Sequence, residues 1–368
     1  MTATKKEPLL RIVKKKELPT NKAILLRIAA FLLSLLAGAA FLLILGVNPI
    51  QAYISIVRGA FVGSVRNPYS SVQATVRLAI PLLICALGLA YAFKLKFWNI
   101  GAEGQLIMGG IFASYFALFH ADWPHWLLML VMLVAGMVGG ALWALIPTLF
   151  KVRFNTNETL FTLMLNYIAL YMIDFLKDGP WKDPNQPGFA AIAFFDPNAR
   201  ADKVLGIQFG WIVALLLMVL SFVYLNHTKQ GYEISVVGGS PATAHYAGIN
   251  VKKVIIRTMI LSGALCGLAG MLQVSGNDGT LSSGVAGGTG FLAITVAWLA
   301  QLNPFMIAVF SLFFSVLEKG SMLLQTQMNV SKDASDVLQG IILFFFLGCE
   351  FFIRYRIAVR GKGGERRG

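Results

Sequence analysis

Residues 94–110, KLKFWNIGAEGQLIMGG, form a polar and glycine-rich patch between two long apolar runs. The upstream run, residues 76–93, and the downstream run, residues 106–119, are almost wholly apolar. A bilayer core offers no water to backbone groups, so such an interruption is tolerated only at a helix end near an interface or beside a protein cavity. The pattern therefore predicts two membrane helices separated by a break.

Glu103 is the most informative residue of this patch. An uncompensated carboxylate at the centre of a membrane helix costs roughly 2.5–3.5 kcal/mol on insertion scales, so Glu103 should lie near an interface, face the bundle interior or have a partner. In one interpretation Lys94 and Lys96 mark a cytoplasmic turn. Asn99 then caps the next helix, and Glu103 complements the positive N-terminal end of that helix. In the other, the break is part of the conduction path or a gate, as in transporters with discontinuous helices. The two interpretations are compatible.

Composition identifies the class of protein. Of the 368 residues, 57% are hydrophobic and 13% are charged, and the mean hydropathy is +0.70. A chain of this length with this composition has far more apolar residues than one soluble core needs. The formal net charge of +14 would suit a nucleic-acid binder, but the basic residues collect at the chain ends and in short loops between apolar runs. Positive-inside sorting explains that distribution better. We expect an all-α polytopic protein of the lipid bilayer that binds no nucleic acid polymer.

Cysteine and histidine patterns give little support to a metal centre. Cys85, Cys266 and Cys349 each lie inside an apolar run and form no CxxC pair, so they are expected to be buried small hydrophobic residues. The four histidines lack HExxH spacing. No Walker-type GxxxxGK[ST] motif occurs, so energy for transport must come from another chain. We expect a chain that is not an enzyme and has no cofactor of its own.

Apolar runs predict about ten transmembrane elements, some of them short or broken. The predicted spans are about residues 23–47 and 75–93, a third that begins within residues 94–110 and exits at residues 120–124, and then 125–150, 157–177, 209–225, 254–274, 292–300, 305–324 and 337–353. The eighth is short, so with the break at 99–105 it gives two interrupted helices in opposite halves of the chain. This arrangement points to a midplane site between them. A GxxxG from Gly136 to Gly140 and a spaced row at Gly263, Gly267 and Gly270 predict close helix packing.

Ten crossings divide the chain into three regions. Residues 1–22 and 355–368 are basic tails, and residues 23–354 form the membrane domain. An even number of crossings and the charge distribution place both termini in the cytoplasm of a cell that carries the protein in its plasma or inner membrane. Residues 174–208 contain five aspartates and four prolines and are typical of an external loop, a docking surface for a delivery protein.

Residues 227–257 form the longest internal loop, and they contain a short predicted helix. Ser240 supplies an N-cap, Pro241 occupies the first helical position, and Gly248 ends the helix. The helix is either a linker between two spans or a lever that fits into a groove on a cytoplasmic partner.

Four stretches, in order, resemble motifs of ABC-transporter permeases for simple sugars, ribose-type ligands, nucleosides and branched-chain amino acids. Residues 97–105, FWNIGAEGQ, resemble FNIGAEGQ, and residues 157–170 are similar to NEVISTLMLNYIAL. Residues 236–250 resemble VGANPxAARYAGIN, and residues 261–270 resemble SGALAGLAG. The chain is most similar to nucleoside-type permeases that pair with a basic-membrane-protein-like binding lipoprotein.

This resemblance implies a function and a set of partners. It implies that the chain forms half of the translocation path of an importer for a nucleoside or a similar ribose-containing or simple sugar solute. The partners are an ABC ATPase subunit that binds ATP and Mg, a second permease that is usually a paralogue, and an extracellular substrate-binding lipoprotein. It identifies the short helix as the coupling helix that contacts the ATPase, with candidate residues Ser240, Pro241, Ala242, Ala244 and Gly248.

The sequence also departs from the motifs it resembles. Trp98 stands where phenylalanine is usual, and Thr243 and His245 replace common Ala and Arg. Residues 298–304, WLAQLNP, depart from ALLGxxxP, close to the expected path.

Five residues are candidates for the translocation path because amide and aromatic side chains suit a nucleobase by hydrogen bonding and stacking. They are Asn99, Glu103, Asn166, Asn277 and Phe291. Asn166 equally suits a hydrogen bond between neighbouring helices. Aromatic residues at helical spacing are more often lipid-facing or in the core.

Two other functions remain open from the sequence. The first is a secondary transporter that needs no ATPase, with Glu103 or Glu158 as the proton-coupling carboxylate. Uptake by this chain alone, driven by a proton gradient, would favour it. The second is a membrane scaffold without transport, which purified complexes lacking an ATPase would favour.

Overall fold

Helices account for nearly all of the regular structure. The computed structural model describes residues 10–14, 20–184, 188 and 190–359, and most of the two predicted tails lies outside these residues. Helices α1 to α7 are Thr20–Ile44, Pro49–Phe61, Ser70–Lys94, Ala102–Phe119, His125–Phe154, Glu158–Asp178 and Gly210–His227. Helices α8 to α13 are Lys229–Gly239, Pro241–Tyr246, Val251–Leu272, Thr289–Leu299, Pro304–Met328 and Lys332–Arg354.

The remaining elements are short. Strands β1 to β4 are Leu10–Lys14, Lys203–Val204, Ile207–Gln208 and Tyr355–Val359, and a 3₁₀ turn covers Pro197–Ala199. Helix α10 continues into a π-helical turn at Gln273–Asp278. Within the described residues, nine helices are long and apolar enough to cross a membrane, and α11 is a shorter apolar helix. The prediction of an all-α polytopic protein with about ten membrane elements, one of them short, is confirmed.

The chain divides into two compact units, residues 1–59 with 320–368 and residues 60–319. In the first unit, α1 packs against α13, and the Tyr53 hydroxyl of α2 donates to the Leu35 carbonyl of α1 at 2.6 Å. Strand β1 pairs antiparallel with β4, so that Leu10 lies opposite Val359. This pairing brings the described parts of the two chain ends together.

Glycine packing holds the centre of the second unit together. Helices α4, α5 and α10 approach so closely that a Cβ at Gly267 would collide with the Gly136 carbonyl. A Cβ at Gly140 would likewise collide with the Gly263 carbonyl. Small residues permit such backbone contact between membrane helices. The packing predicted from the spaced glycines is confirmed, and α3 and α11 lie against this core.

Candidate functional site

The break between α3 and α4 is a buried polar network. Asn99 is fully buried, and its side-chain amide exchanges two 3.2 Å hydrogen bonds with that of Gln105. The side-chain oxygen Oδ1 of Asn99 also accepts from the Gly101 backbone N–H at 2.9 Å. From α10, the Ser262 hydroxyl lies 3.5 Å from the Asn99 amide nitrogen. Asn99 therefore supports the entrance to α4 from within the protein.

Helix α6 binds the backbone on both sides of the same break. The Asn166 amide donates to the Ile100 carbonyl at 2.9 Å and accepts from the Gly104 N–H at 2.9 Å. The Thr162 hydroxyl accepts from the Ile100 N–H at 3.1 Å. Asn166 and Thr162 are buried. Backbone groups that a continuous helix would pair internally are thus satisfied by side chains, as a bilayer core requires.

Glu103 caps a helix other than its own. Its carboxylate accepts from the Gly288 N–H at 2.8 Å and from the Gly290 N–H at 2.6 Å, at the start of α11. Gly288 is the N-cap residue of α11 and has no side chain to satisfy these donors. A carboxylate there also complements the positive end of the helix. Glu103 is buried, so it joins the first turn of α4 to the first turn of α11.

The segment before α11 is exposed at its tip, whereas Asn99 at the centre of the first break is buried. Residues 279–288 are largely non-helical, and Ser282, Ser283 and Gly284 are exposed. Phe291, in the first turn of α11, is 42% exposed. Non-helical backbone at membrane depth is tolerated only in contact with protein or with a water-filled cavity. Phe291 therefore lies on an exposed face of α11, directly after this non-helical segment.

Asn277 lies in a separate network at the opposite end of α3. Its amide donates to the Arg77 carbonyl at 3.2 Å and to Gln273 at 2.7 Å, and its oxygen accepts from Gln208 at 3.1 Å. Arg77 and Lys94 are about 25 Å apart along the axis of α3 at 1.5 Å per residue. Of the five candidate path residues, Asn99, Glu103 and Asn166 lie together at the first break. Phe291 follows Gly290, whose N–H donates to Glu103, and so lies next to this group. Asn277 lies apart from them.

The internal loop is mostly helical, and its geometry fixes α9. The Ser240 hydroxyl accepts from the Thr243 N–H at 3.3 Å, and Pro241 occupies the first turn. Gly248 has φ +74°, and the Ile249 N–H donates to the Ala244 carbonyl, which is the pattern of a Schellman C-cap. The predicted cap and stop are confirmed.

Helix α9 has one buried residue and an exposed face. Ala244 is fully buried, whereas Pro241, Ala242 and Gly248 are exposed. Tyr246, at the end of the helix, is 91% exposed. The exposed face, including Tyr246, presents the surface that a partner can contact, and Ala244 anchors the helix to this chain.

Helix α8, which sequence reasoning did not find, links α9 to the break. A Cβ at Gly238, near its end, would collide with the Lys94 carbonyl at the end of α3. Arg257 of α10 pairs with Glu233 of α8 at 3.1 Å. A cavity of about 250 Å³ lies at this junction and is lined by Leu95, Lys96, Phe97, Lys151, Glu158, Val237, Gly238, Gly239, Pro241, Val251 and Ile255. The loop helices and the break are therefore in direct contact.

Two tryptophans form a stacked pair beside the break. The rings of Trp98 and Trp298 have centroids 5.4 Å apart and an interplanar angle of 19°. Phe93 stacks on Trp298 at 5.4 Å. The sequence signalled Trp98 and the stretch from Trp298 only as departures from the motifs they resemble. The structure shows that these departures are in contact.

Among the described residues no group of three or more histidine, cysteine, aspartate or glutamate side chains is arranged to hold a metal ion. Gln105, Thr162, Gly288 and Gly290 are the polar partners that sequence reasoning missed. The amide of Gln105 follows Glu103 in the quoted patch, which was the available signal. The arrangement supports the backbone of the break between α3 and α4.

Comparisons with known proteins identify a family and several relatives of this chain. The family described as the branched-chain amino acid transport system / permease component matches residues 71–347. A glucose ABC transporter permease protein of Haloferax volcanii is 29% identical over 349 residues, covering 92% of this chain and 90% of the relative. A nucleoside ABC transporter permease protein of Lactococcus lactis subsp. cremoris is 30% identical over 336 residues, covering 88% and 91%. A guanosine ABC transporter permease protein of Bacillus subtilis is 28% identical over 349 residues, covering 93% and 97%.

Proposed function

The chain belongs to the family of the branched-chain amino acid transport system / permease component, and on that premise we propose that it is the membrane permease subunit of an ABC importer for a nucleoside or a similar ribose-containing or simple sugar solute. The observation that carries the proposal is that the family match includes both interrupted helices and the internal loop. The names of the three relatives, which concern glucose, nucleosides and guanosine, support this range of solutes.

The partners and the orientation follow from this function. An ABC ATPase binds ATP and Mg, and an extracellular substrate-binding lipoprotein delivers the solute. A second permease, a paralogue of this chain, completes the path. The inner face is the end where Lys94, Lys96, Lys151 and Arg153 lie, and both termini are cytoplasmic because basic residues are retained on that side.

A chain of contacts supports a coupling mechanism. The ATPase contacts the exposed face of α9, and the buried Ala244 packs α9 against the rest of the permease chain. From there α8 contacts the Lys94 carbonyl at Gly238, where the first break begins. Glu103, within the first turn after this break, holds the start of α11. Movement of α9 therefore reaches α11 through packed elements, and nucleotide binding shifts the path between outward and inward access.

The carboxylates argue against a proton-coupled transporter. Both oxygens of Glu103 accept backbone N–H donors, so a proton on either oxygen would compete with an existing hydrogen bond. Glu158 is paired with Lys151 at 2.9 Å. Neither carboxylate has the open environment of a group that takes up and releases protons during transport. A separate ATPase is therefore the better source of energy.

The test compares two exposed tyrosines on neighbouring helices of the internal loop. The importer is reconstituted in proteoliposomes with its ATPase, second permease and binding lipoprotein, and ATP-driven uptake and ATP hydrolysis are measured. Tyr246→Ala on α9 should lower uptake about tenfold, because a central aromatic contact with the partner is lost. The matched control Tyr232→Ala, on α8, where Tyr232 is 66% exposed, should leave uptake within about twofold.

Uptake by this chain alone under a proton gradient would refute the proposal. Equal effects of the two tyrosine substitutions would refute the assignment of α9 as the coupling helix and leave the permease function standing.

A further inference from the structure

The stacked tryptophans beside the break have a free surface. Trp98 is 49% exposed although Trp298 stacks on one of its faces. Phe93, on the other hand, is buried against this pair. About half of the Trp98 side chain stays exposed with both neighbouring rings in place, so a further planar ring can still reach it.

This surface continues along α11. Phe291 and Trp298 are seven residues apart, which places them on one face of the helix two turns apart. Thr295 lies between them on that face and is partly exposed, whereas Ala293 and Val296 on the other side are buried. The segment before Phe291 exposes non-helical backbone, which a lipid-facing surface does not tolerate. The stripe from Phe291 to Trp298 therefore lies against a water-filled path or another protein surface, and Trp98 stacks on the Trp298 end of it.

The surroundings of Trp98 favour a flat apolar ring over a hydroxyl-rich one. Phe93 and Trp298 are its ring neighbours, and the polar groups of the adjacent break are already bonded to each other, as in Asn99 with Gln105. A simple sugar in this position would lose hydrogen bonds to water and find few replacements. A nucleobase offers a π-face that stacks on any aromatic side chain.

We propose that Trp98 and Trp298 form a stacking platform for the base of a nucleoside at the inner end of the path. This inference rests on the proposed function and narrows it, because it selects nucleosides over simple sugars. The platform holds the base as it leaves the membrane, after the ribose and base have passed the exposed face of α11.

Uptake of guanosine, uridine and glucose by the reconstituted importer tests the platform. Trp98→Leu and Trp298→Leu should each lower the kcat/KM of nucleoside uptake about tenfold, since base stacking is lost. Trp98→Phe should stay within about twofold of the wild type because it retains an aromatic face. The matched control is Trp126→Leu, because Trp126 is 69% exposed but lies in the first turn of α5, away from the break. It should leave uptake unchanged.

Binding supplies a second measurement that does not need transport. Guanosine should quench the tryptophan fluorescence of the purified chain, and Trp98→Leu should remove most of the quenching while ribose has no effect on the wild type.

Three results would overturn the platform: equal losses in Trp98→Leu and Trp98→Phe, nucleoside uptake unaffected by either leucine variant, or wild-type uptake of glucose without nucleosides. The last result would leave the importer function intact. Absence of ATP-driven uptake of every solute would instead overturn the importer function, and the quenching measurement would then decide the platform by itself.

Discussion

The two interrupted helices of the second unit are built in opposite ways. The first interruption, residues 95–101, is closed by side chains of α4, α6 and α10, and Asn99 at its centre is fully buried. The second, residues 279–288, exposes Ser282, Ser283 and Gly284. Helix α11 that follows it has no side-chain cap of its own, and Glu103 of α4 supplies one. The first interruption is stabilised by buried side chains of the helices around it, and the second depends on Glu103, in the helix that follows the first.

This difference assigns different mechanical roles to the two segments. A buried network whose polar groups are hydrogen-bonded opens only at a high free energy, whereas a segment with an exposed stretch, such as residues 282–284, opens locally at a lower free energy. We therefore expect the first interruption to act as a fixed support and the second to move during transport. Glu103 is the connection through which the support sets the position of α11.

The largest effect is expected where the fixed support loses a polar partner. Asn166→Leu removes the donor to the Ile100 carbonyl and the acceptor of the Gly104 N–H, and leaves both backbone groups buried without a partner. The substitution should lower the free energy of unfolding by about 2–4 kcal/mol, since an unsatisfied buried group costs roughly 1–3 kcal/mol. Equilibrium unfolding in mixed micelles, followed by tryptophan fluorescence, measures the change.

The second interruption supplies the comparison for this substitution. The Ser283 hydroxyl donates to Asp174 at 2.7 Å in an exposed position, so Ser283→Ala should change stability by less than about 0.5 kcal/mol. Asn226→Leu, at an exposed asparagine of α7, controls for the change in chemistry. If Ser283→Ala destabilises as much as Asn166→Leu, the contrast between a fixed and a movable segment is wrong.

An intermediate effect is expected at the connection itself. In Glu103→Gln one carboxylate oxygen becomes an NH₂ group that faces a backbone N–H, so one of the bonds to Gly288 and Gly290 is lost together with the charge. The loss should be about 1–2 kcal/mol, in the range of a charge-assisted hydrogen bond and a helix-end charge. Hydrogen exchange should locate it, with amides of the first turn of α11 exchanging about tenfold faster.

The control for this substitution is another carboxylate at the start of a helix. Glu158→Gln removes a partly exposed pair with Lys151, which contributes about 0–1 kcal/mol, and should leave exchange in α11 unchanged. Faster exchange throughout α4 in Glu103→Gln, with α11 unaffected, would show that Glu103 supports its own helix instead, as one of the two interpretations of the sequence had it.

Local signals were sufficient for the membrane spans and for the ends of α9. Apolar runs gave the spans, and the predicted N-cap at Ser240 is confirmed by the bond that its hydroxyl accepts from the Thr243 N–H. Helix α8 was missed because Gly231, Gly238 and Gly239 lower its helix propensity. Its start signal was the Thr228 hydroxyl, which accepts from the Gly231 N–H. Strands β1 and β4 were missed because each pairs with a partner near the other end of the sequence, which a local pattern does not show.

Partners distant in sequence were not available from local patterns. The sequence shows that Glu103 needs a partner, but the donors at Gly288 and Gly290 lie more than 180 residues away, and periodicity does not say which helices pack together. For the same reason Asn277 was grouped with the path, although its amide joins the network around Arg77. The partner of each of these side chains depends on which helices pack together, and only the fold determines that packing.

The smallest effect is expected from a substitution that restricts the second interruption without disturbing it. At Gly284 the nearest atom to an added Cβ is the Ser282 hydroxyl oxygen at 3.9 Å, so Gly284→Ala meets open space. Stability should change by less than about 0.5 kcal/mol, because the slight gain from a less flexible unfolded chain is the only contribution. Gly104→Ala is the positive control, since its Cβ would lie 2.9 Å from the side-chain oxygen Oδ1 of Asn166.

Transport adds the decisive measurement for this last variant. If residues 279–288 move when the path opens, restricting Gly284 should lower the rate of ATP-driven uptake about twofold while stability stays constant, because the backbone of alanine has fewer accessible conformations than that of glycine. Unchanged uptake would mean that this part of the segment keeps one conformation throughout the cycle. The exposed interruption would then be a static lining of the path, and the movement of α11 would have to arise at its capped end, through Glu103.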